Sequence, residues 1–421
     1  MEKQHGKTVS AEKALVLQRA RDYLFPQRID QLSALGVDLV IGQREAYRFS
    51  DMDGREFMDF HLNGGTYSLG HRHPQLLAVL RESLEFADVG NHHFPNPARA
   101  ELAKRLALAT GLQYTVFTPS GAEANDVAIK SARRYTRRRK IVALEQGYHG
   151  RSGLSGAAGD DSSAAWFGSD YPEEFIKVPF NDIDAMERAL GGADVAAVLM
   201  ETIPATSGFP MPEPDYLPGV RALCNRYGTV YIADEVQTGL ARTGKLWGVD
   251  CWAVKPDILI TGKGLSGGLY PVSAAVLSND VGAWLAEDGW GYVSTFGGAE
   301  PGCAVGCRAL ELCSDPATLA NVEVIATYLR RGLEDIQGRQ PFLSEIRQQG
   351  LVMGLKFDAP DGGMQMTGAL FKKGIWAMFA AFDPSVLQLK PGLLVDTAYC
   401  DEALQRIEDA LASLAGTSGG D

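Results

Sequence analysis

The feature that most constrains this chain is an apolar run that ends abruptly in acid. In Thr229-Val-Tyr-Ile-Ala-Asp234-Glu-Val-Gln-Thr-Gly239 nothing charged interrupts residues 229–233, and two carboxylates follow directly. A strand buried on both faces reads this way, and in a parallel sheet it delivers its carboxylate to the carboxyl-terminal edge. A second short run, Ile258-Leu-Ile260, leads in the same manner into Thr261-Gly-Lys263-Gly-Leu-Ser-Gly-Gly268, a lysine set among glycines. In an open α/β sheet both tips lie in the crevice where ligands bind. Singly, each has a plainer reading: an aspartate paired with an arginine because it is buried, and a turn lysine in solvent.

The same rhythm extends along the middle of the chain. Residues 114–118, 140–144, 195–200, 229–233, 258–260 and 274–277 are strand candidates with helical patterns between most of them. This predicts a mostly parallel sheet covered on both faces. Upstream, residues 11–25 place Leu15, Leu17, Ala20, Tyr23 and Leu24 at helical spacing. Residues 46–60 read as two short strands joined by a turn at Asp53-Gly54. Gly70-His-Arg-His73-Pro74 breaks the chain ahead of a helix through Leu76, Leu77, Leu80 and Leu84. From about Leu310 the pattern changes. A long amphipathic helix over 319–336, strands over 351–357 and 386–389, and a closing helix over 402–414 predict a smaller α+β unit, joined in space by the amino-terminal segment. The tail, 416–421, reads as disordered.

Bulk properties exclude several classes. A chain of 421 residues can form two or three domains. Its 40 basic and 52 acidic residues give a net charge of −12, which argues against nucleic acid or an anionic membrane as partner. The basic stretch Arg133-Arg-Tyr-Thr-Arg-Arg-Arg-Lys140 ends a predicted helix, where cations suit the carboxyl terminus. No apolar run approaches the roughly 20 residues that cross a bilayer, and Met1-Glu-Lys-Gln-His-Gly-Lys7 lacks the apolar core of a secretory signal. The cysteines, Cys224, Cys251, Cys303, Cys307, Cys313 and Cys400, form no Cys-x-x-Cys pair. Cys303 and Cys307 have no histidine pair beside them, and His71 and His73 no third ligand, so no metal is expected. Buried, reduced thiols in a cytoplasmic protein are expected instead.

The chemistry gathers at three places. Pro119-Ser120-Gly121-Ala122-Glu-Ala-Asn125 follows the first strand of the sheet and opens a helix. It offers free backbone amides, a hydroxyl and no bulky side chain at a helix amino terminus, which suits a phosphate but also describes an ordinary cap. Asp234 and Lys263 add a carboxylate able to hold a pyridinium nitrogen and an amine able to condense with an aldehyde. Those are the demands that pyridoxal phosphate makes of a protein.

Asp234-Glu-Val-Gln-Thr-Gly239, Gly262-Lys-Gly264, Thr295-Phe-Gly-Gly298, Ser120-Gly-Ala122 and Tyr148-His-Gly-Arg151 together resemble the class III aminotransferases of the acetylornithine, ornithine and 4-aminobutyrate type. The likeness runs from about Tyr47 to Leu414. It implies the α/β architecture of fold-type I pyridoxal-phosphate enzymes: a mostly parallel seven-stranded sheet in a large domain, and a smaller α+β domain built from both chain ends. The division expected is an amino-terminal segment, 1–65, a cofactor domain, 66–310, and a small domain, 311–421. The resemblance further implies a homodimer with active sites at the interface, an amino donor and a keto acid as substrates, and pyridoxal 5'-phosphate as cofactor.

Carried onto this chain, the resemblance makes Lys263 the Schiff-base lysine and proton shuttle, and Asp234 the partner of the pyridine nitrogen. Gln237 meets the phenolic oxygen, Val236 and Tyr148 take the two ring faces with His149 beside Tyr148, and Gly121 and Ala122 donate amides to the phosphate. Thr295 reaches that phosphate from the neighbouring subunit, and Glu201 is retained near the cofactor. Two stretches depart from the pattern. Many relatives read Glu-Pro-Ile-x-Gly-x-Gly-Gly where this chain reads Glu201-Thr-Ile-Pro-Ala-Thr-Ser-Gly208, and several carry an arginine before Pro-Pro-Leu where it reads Leu389-Lys390-Pro-Gly-Leu393. A lysine meets a carboxylate as a point charge without the bidentate fork. Lys390, Arg151 and Tyr67, the last in Asn63-Gly-Gly-Thr-Tyr67, are the candidates for contact with substrate. The second reading is an amino-acid racemase or epimerase on the same scaffold.

Overall fold

The computed structural model describes residues 9–91 and 93–417. Residues 1–7, read above as carrying no secretory signal, lie outside them. So do residues 418–421 of the tail, whereas its first two residues continue the last helix, Thr397–Thr417.

Fifteen strands among the described residues form three sheets. The first joins β1 (Ile41–Glu45), β2 (Arg48–Asp51) and β3 (Glu56–Asp59) to β13 (Ile375–Trp376), which pairs parallel to β3 although more than 300 residues separate them in sequence. The central sheet has seven strands: β4 (Tyr114–Thr118), β5 (Lys140–Leu144), β6 (Phe175–Val178), β7 (Val195–Glu201), β8 (Val230–Asp234), β9 (Ile258–Thr261) and β10 (Ser273–Leu277). Their spatial order is β4-β10-β9-β8-β7-β5-β6, with β10 antiparallel to both neighbours and every other direction alike. The third sheet, all antiparallel, runs β11 (Leu343–Gln349), β12 (Val352–Phe357), β15 (Val386–Leu389) and β14 (Met378–Phe379).

The mostly parallel α/β architecture is thus borne out, and its cause is visible strand by strand. Every residue of β7, β8 and β9 is buried, which only a sheet covered on both faces allows. Alternate side chains feed opposite layers. Ala197, Leu199 and Ile232 pack with Ala124, Val127 and Ala128 of the helix Gly121–Thr136. Val198, Met200 and Tyr231 pack with Leu217 and Val220 of the helix Tyr216–Tyr227. Full burial of one such aliphatic side chain contributes roughly 1.5–3 kcal/mol.

Five strands escape the sequence pattern: β1, β6, β11 and the two-residue β13 and β14. β6 is an edge strand with Lys177 in its short run, and β11 alternates so weakly, Leu-Ser-Glu-Ile-Arg-Gln-Gln, that only Leu343 and Ile346 face the core. The first helix, Ala11–Tyr23, also differs from its apolar reading. Its one buried residue is Lys13, while Leu15, Tyr23 and Leu24 are exposed. Lys13 Nζ lies 2.9, 3.2 and 3.3 Å from carboxylate oxygens of Asp51, Asp38 and Asp53, so a buried ion cluster rather than an apolar stripe docks this helix. Among the described residues no helix is long and apolar enough to cross a membrane.

Candidate active site

Strands β7, β8 and β9 lie side by side and end together, so Glu201, Asp234 and the turn bearing Lys263 come to one edge of the sheet. The helix Gly121–Thr136 starts at the same edge. Ser120 caps it through its hydroxyl, which accepts from the amide of Glu123 at 3.3 Å. The amides of Gly121 and Ala122, in the first turn, have no acceptor within the helix.

Asp234 is buried, and three groups hold it. Its Oδ2 lies 2.8 Å from His149 Nδ1 and 2.9 Å from Asn125 Nδ2, and its Oδ1 accepts from the amide of Val236 at 3.1 Å. Burial alone pushes the carboxyl up. The hydrogen bonds from His149, Asn125 and Val236 outweigh it and hold Asp234 below its usual range, so it stays ionised. Asn125 also donates to Gly121 O at 3.1 Å and to His149 O at 3.2 Å, tying the helix mouth to the strand tip. His149 therefore lies on Asp234, while its neighbour Tyr148 is 37% exposed with the guanidinium of Arg151 over its ring. Arg151 itself is exposed, 3.6 Å from Asp160.

Lys263 sits at φ 42° at the start of a short 3-10 turn, Lys263–Ser266. Burial lowers its proton affinity against the pull of Asp234 and Glu201. Gly64, at φ 70°, faces it: a Cβ there would stand 3.0 Å from Lys263 Cε and 3.8 Å from Gln237 Oε1. Gln237 Oε1 is buried and has no partner. Val236 lies between the lysine turn and the helix mouth, where a Cβ on Gly121 would come within 3.4 Å of it. Glu201 is buried, accepts from the amides of Tyr148 and Ala205 at 3.0 Å each, and is pushed up to about 7, chiefly by burial.

The opposite wall comes from the carboxyl-terminal part. Lys390, just past β15, is 3% exposed, bonds to Gln388 Oε1, and stands 5.3 Å above the ring of Phe209. Among the described residues no carboxylate lies within ion-pair reach of it. Burial, then Lys263 and Arg242, press its proton affinity well below the ordinary range, with Asp59 the opposing charge. His61, held down to about 3 by burial and by Lys390 and Lys263, is on the same side. Arg242 is buried, bonds to Pro391 O, and leaves Nη2 without a partner.

Sequence reasoning passed over Asn125, Gly64, His61, Arg242 and Gln388. Asn125 stood inside a quoted motif, but nothing local tells which strand tip its amide will meet. Tyr67 and Thr295 have other neighbours within this chain. The Tyr67 ring lies 4.2 Å from that of His71 and against Gly268, so Gly64 is the residue of this loop that meets Lys263. Thr295 is exposed beside Gly90.

A family model described as aminotransferase class-III matches residues 33–411. An uncharacterised aminotransferase of Archaeoglobus fulgidus is 41% identical over 408 residues, 96% of each chain. An acetylornithine aminotransferase of Neisseria meningitidis is 34% identical over 380 residues, 88% of this chain and 94% of that one. Among solved structures, the ornithine aminotransferase from Toxoplasma gondii superposes with a TM-score of 0.89 at 27% identity, over 98% of this chain and 97% of its own. The names point to amino transfer throughout, and the racemase reading finds no support among them.

Proposed function

The chain belongs to the class III aminotransferases, enzymes that depend on pyridoxal 5'-phosphate, and on that premise we propose which residues carry the transfer of an amino group between an amino donor and a keto acid. The observation that carries the assignment is the pairing of an enclosed lysine amine with a buried, ionised aspartate at adjoining strand tips. The cofactor supplies an aldehyde that takes up amines and a ring that draws electrons from the neighbouring bond.

The pocket fits such a group. Val236 stands at contact distance from the glycine at the helix mouth, and the buried Gln237 Oε1 and His149 Nε2 both lack partners. In this reading the amides of Gly121 and Ala122 and the Ser120 hydroxyl hold the phosphate at the positive end of the helix. Val236 and Tyr148 flank the ring, and Gln237 meets its phenolic oxygen. Asp234, kept anionic by His149 and Asn125, keeps the pyridine nitrogen protonated. Glu201 braces the wall by taking the amides of Tyr148 and Ala205. Lys263 would hold the cofactor through its aldehyde and, when freed by the donor amine, would be the base that carries the proton away from the amine-bearing carbon.

Lys390 is a buried amine with no carboxylate within ion-pair reach among the described residues, which supports a donor whose own carboxylate would favour its charged form. The acetylornithine and ornithine aminotransferases named above have donors of that kind. Arg151 and Tyr67 are kept as further candidates for contact with the substrate. The division into 1–65, 66–310 and 311–421 goes with this reading, supported by the pairing of β3 with β13. The working unit is a homodimer in which the partner subunit's Thr295 completes the phosphate site. Supporting it, exposed Phe94, Trp290, Val293 and Phe296 surround Thr295 and His93, an apolar patch of the kind that marks interfaces. A cytoplasmic setting accords with six free thiols. Lys263→Ala should abolish turnover and leave no borohydride-reducible cofactor on the protein; a mutant that still carries it covalently refutes the lysine assignment.

A further inference from the structure

Gln388 lies at the centre of the third sheet, in β15 between β12 and β14, opposite Gly354 on one side and Met378 on the other. It is 7% exposed, and both ends of its amide are engaged. Nε2 donates to the carbonyl of Ala205, and Oε1 accepts from Lys390 Nζ. The Ala205 carbonyl leaves only one orientation of the amide satisfied, so the oxygen, not the nitrogen, must face the lysine. Lys390 follows Gln388 by two residues, just past the end of β15, and the bond between them puts both side chains on one side; the backbone amide of Lys390 is fixed to Phe60 O at 2.7 Å.

The Ala205 peptide links this pair to the other side of the pocket. Its amide donates to Glu201 Oε2 at 3.0 Å while its carbonyl takes the Gln388 amide. Glu201, the 205 peptide, Gln388 and Lys390 therefore form one unbroken line of hydrogen bonds from the large sheet to the small one. The loop that carries it is fastened at both flanks, with Phe382 N on Thr206 O at 3.0 Å and Arg347 Nη1 on Gly208 O at 3.1 Å.

We propose that Gln388 is a positioning residue that fixes where Lys390 presents its charge, and thereby sets the preference of the enzyme for carboxylate-bearing donors. The inference rests on the reading that Lys390 meets a substrate carboxylate. A lysine has four rotatable bonds and no fork to set its direction, so its aim must come from its surroundings. Phe209 limits it on one side and Gln388 Oε1 anchors it on another. Gln388 supplies an oxygen without a charge, so the ammonium is held yet remains free to attract an anion. A glutamate at this position would hold it and neutralise it.

The test compares N-acetyl-L-ornithine with N-acetylputrescine, which has the same terminal amine and lacks the carboxylate. The holoenzyme and its Gln388→Met, Gln388→Glu and Lys390→Met variants are assayed with each. The expected result is that all three lose preference for the carboxylate donor by roughly tenfold or more, the range of a hydrogen bond to a charged group. The loss should fall on KM for N-acetyl-L-ornithine, and in the Gln388 variants it should exceed any loss seen with N-acetylputrescine by that same factor. A merely structural glutamine would depress both donors together, and that outcome overturns the proposal. If Lys390→Met loses the preference and both Gln388 variants keep it, Gln388 has no positioning role although the lysine reading stands. If the wild-type enzyme shows no preference, or Lys390→Met changes nothing, the lysine reading falls and the proposal with it.

Discussion

Asn125 allows the electrostatics of the site to be tested with one isosteric change. Its Nδ2 stands 2.9 Å from Asp234 Oδ2, and its Oδ1 is buried with no partner, so only its donor side is in use. In Asn125→Ala the carboxylate loses a hydrogen bond to a charged group worth about 1.5–3 kcal/mol. Felt wholly in the transition state, that is a fall in kcat of about 10- to 150-fold. Asn125→Asp is more informative. Two ionised carboxylates at that separation would repel by about 6 kcal/mol at an effective dielectric of about 20, so the new residue takes up a proton instead. Protonated, it donates to Asp234 as the amide does. As pH rises through its raised pKa it ionises, the hydrogen bond it donates to Asp234 is lost, and a second carboxylate repels the first across the same gap. Asn125→Asp should therefore retain activity at low pH and lose it as pH rises, a limb that Asn125→Ala does not show. Steady-state kcat across pH 5.5–9 for the three proteins, with cofactor content checked by absorbance, is the assay. If the Asp variant has the wild-type profile, or the Ala variant stays within twofold of wild type, the proposed hold on Asp234 is wrong.

Other consequences can be checked more briefly. Gly64→Ala must adopt a left-handed φ of 70°, at about 1–2 kcal/mol, and puts a methyl 3.0 Å from Lys263 Cε. We expect a loss of about tenfold in single-turnover rate with cofactor still bound, and a rate within twofold of wild type would show that the lysine does not need the space. Lys13→Met leaves Asp51 buried without its cation and should cost about 3–5 kcal/mol in urea unfolding. Because its carboxylate partners outweigh burial and raise the Lys13 pKa, the stability it lends is complete below its unfolded value and is lost as pH rises through the folded one. Glu201 gives a slope of the same sign in a lower pH window. Pushed up to about 7, it keeps in the folded state a proton that the unfolded chain releases near 4.3, so stability falls between about pH 4.5 and 7 by an amount of order 3 kcal/mol. Urea midpoints of cofactor-free Glu201→Gln should lack that slope, and a slope equal to wild type would rule out Glu201 as its source.

Much of this architecture is local and so could be read from the chain alone. The apolar runs of β7, β8 and β9, the capped glycine mouth at Ser120 and the lysine among glycines each express themselves within a few residues, because burial on both faces, helix capping and turn geometry are short-range demands. The six strands expected of the central sheet all form, while β6 and β11 were hidden because an edge strand needs no continuous apolar run. Tertiary structure alone decided the partners. Asp234 had to be paired, but whether with an arginine or with His149 and Asn125 depended on which strand tips and helix mouths became neighbours. Nothing within the first helix marks Lys13 as its buried residue; Asp38, Asp51 and Asp53, distant in the chain, enclose it. Gln388 had no signal at all, since its meaning lies in the Ala205 carbonyl, 183 residues away in the chain. A buried polar group has to find a partner, and the order of residues states the need without naming who meets it.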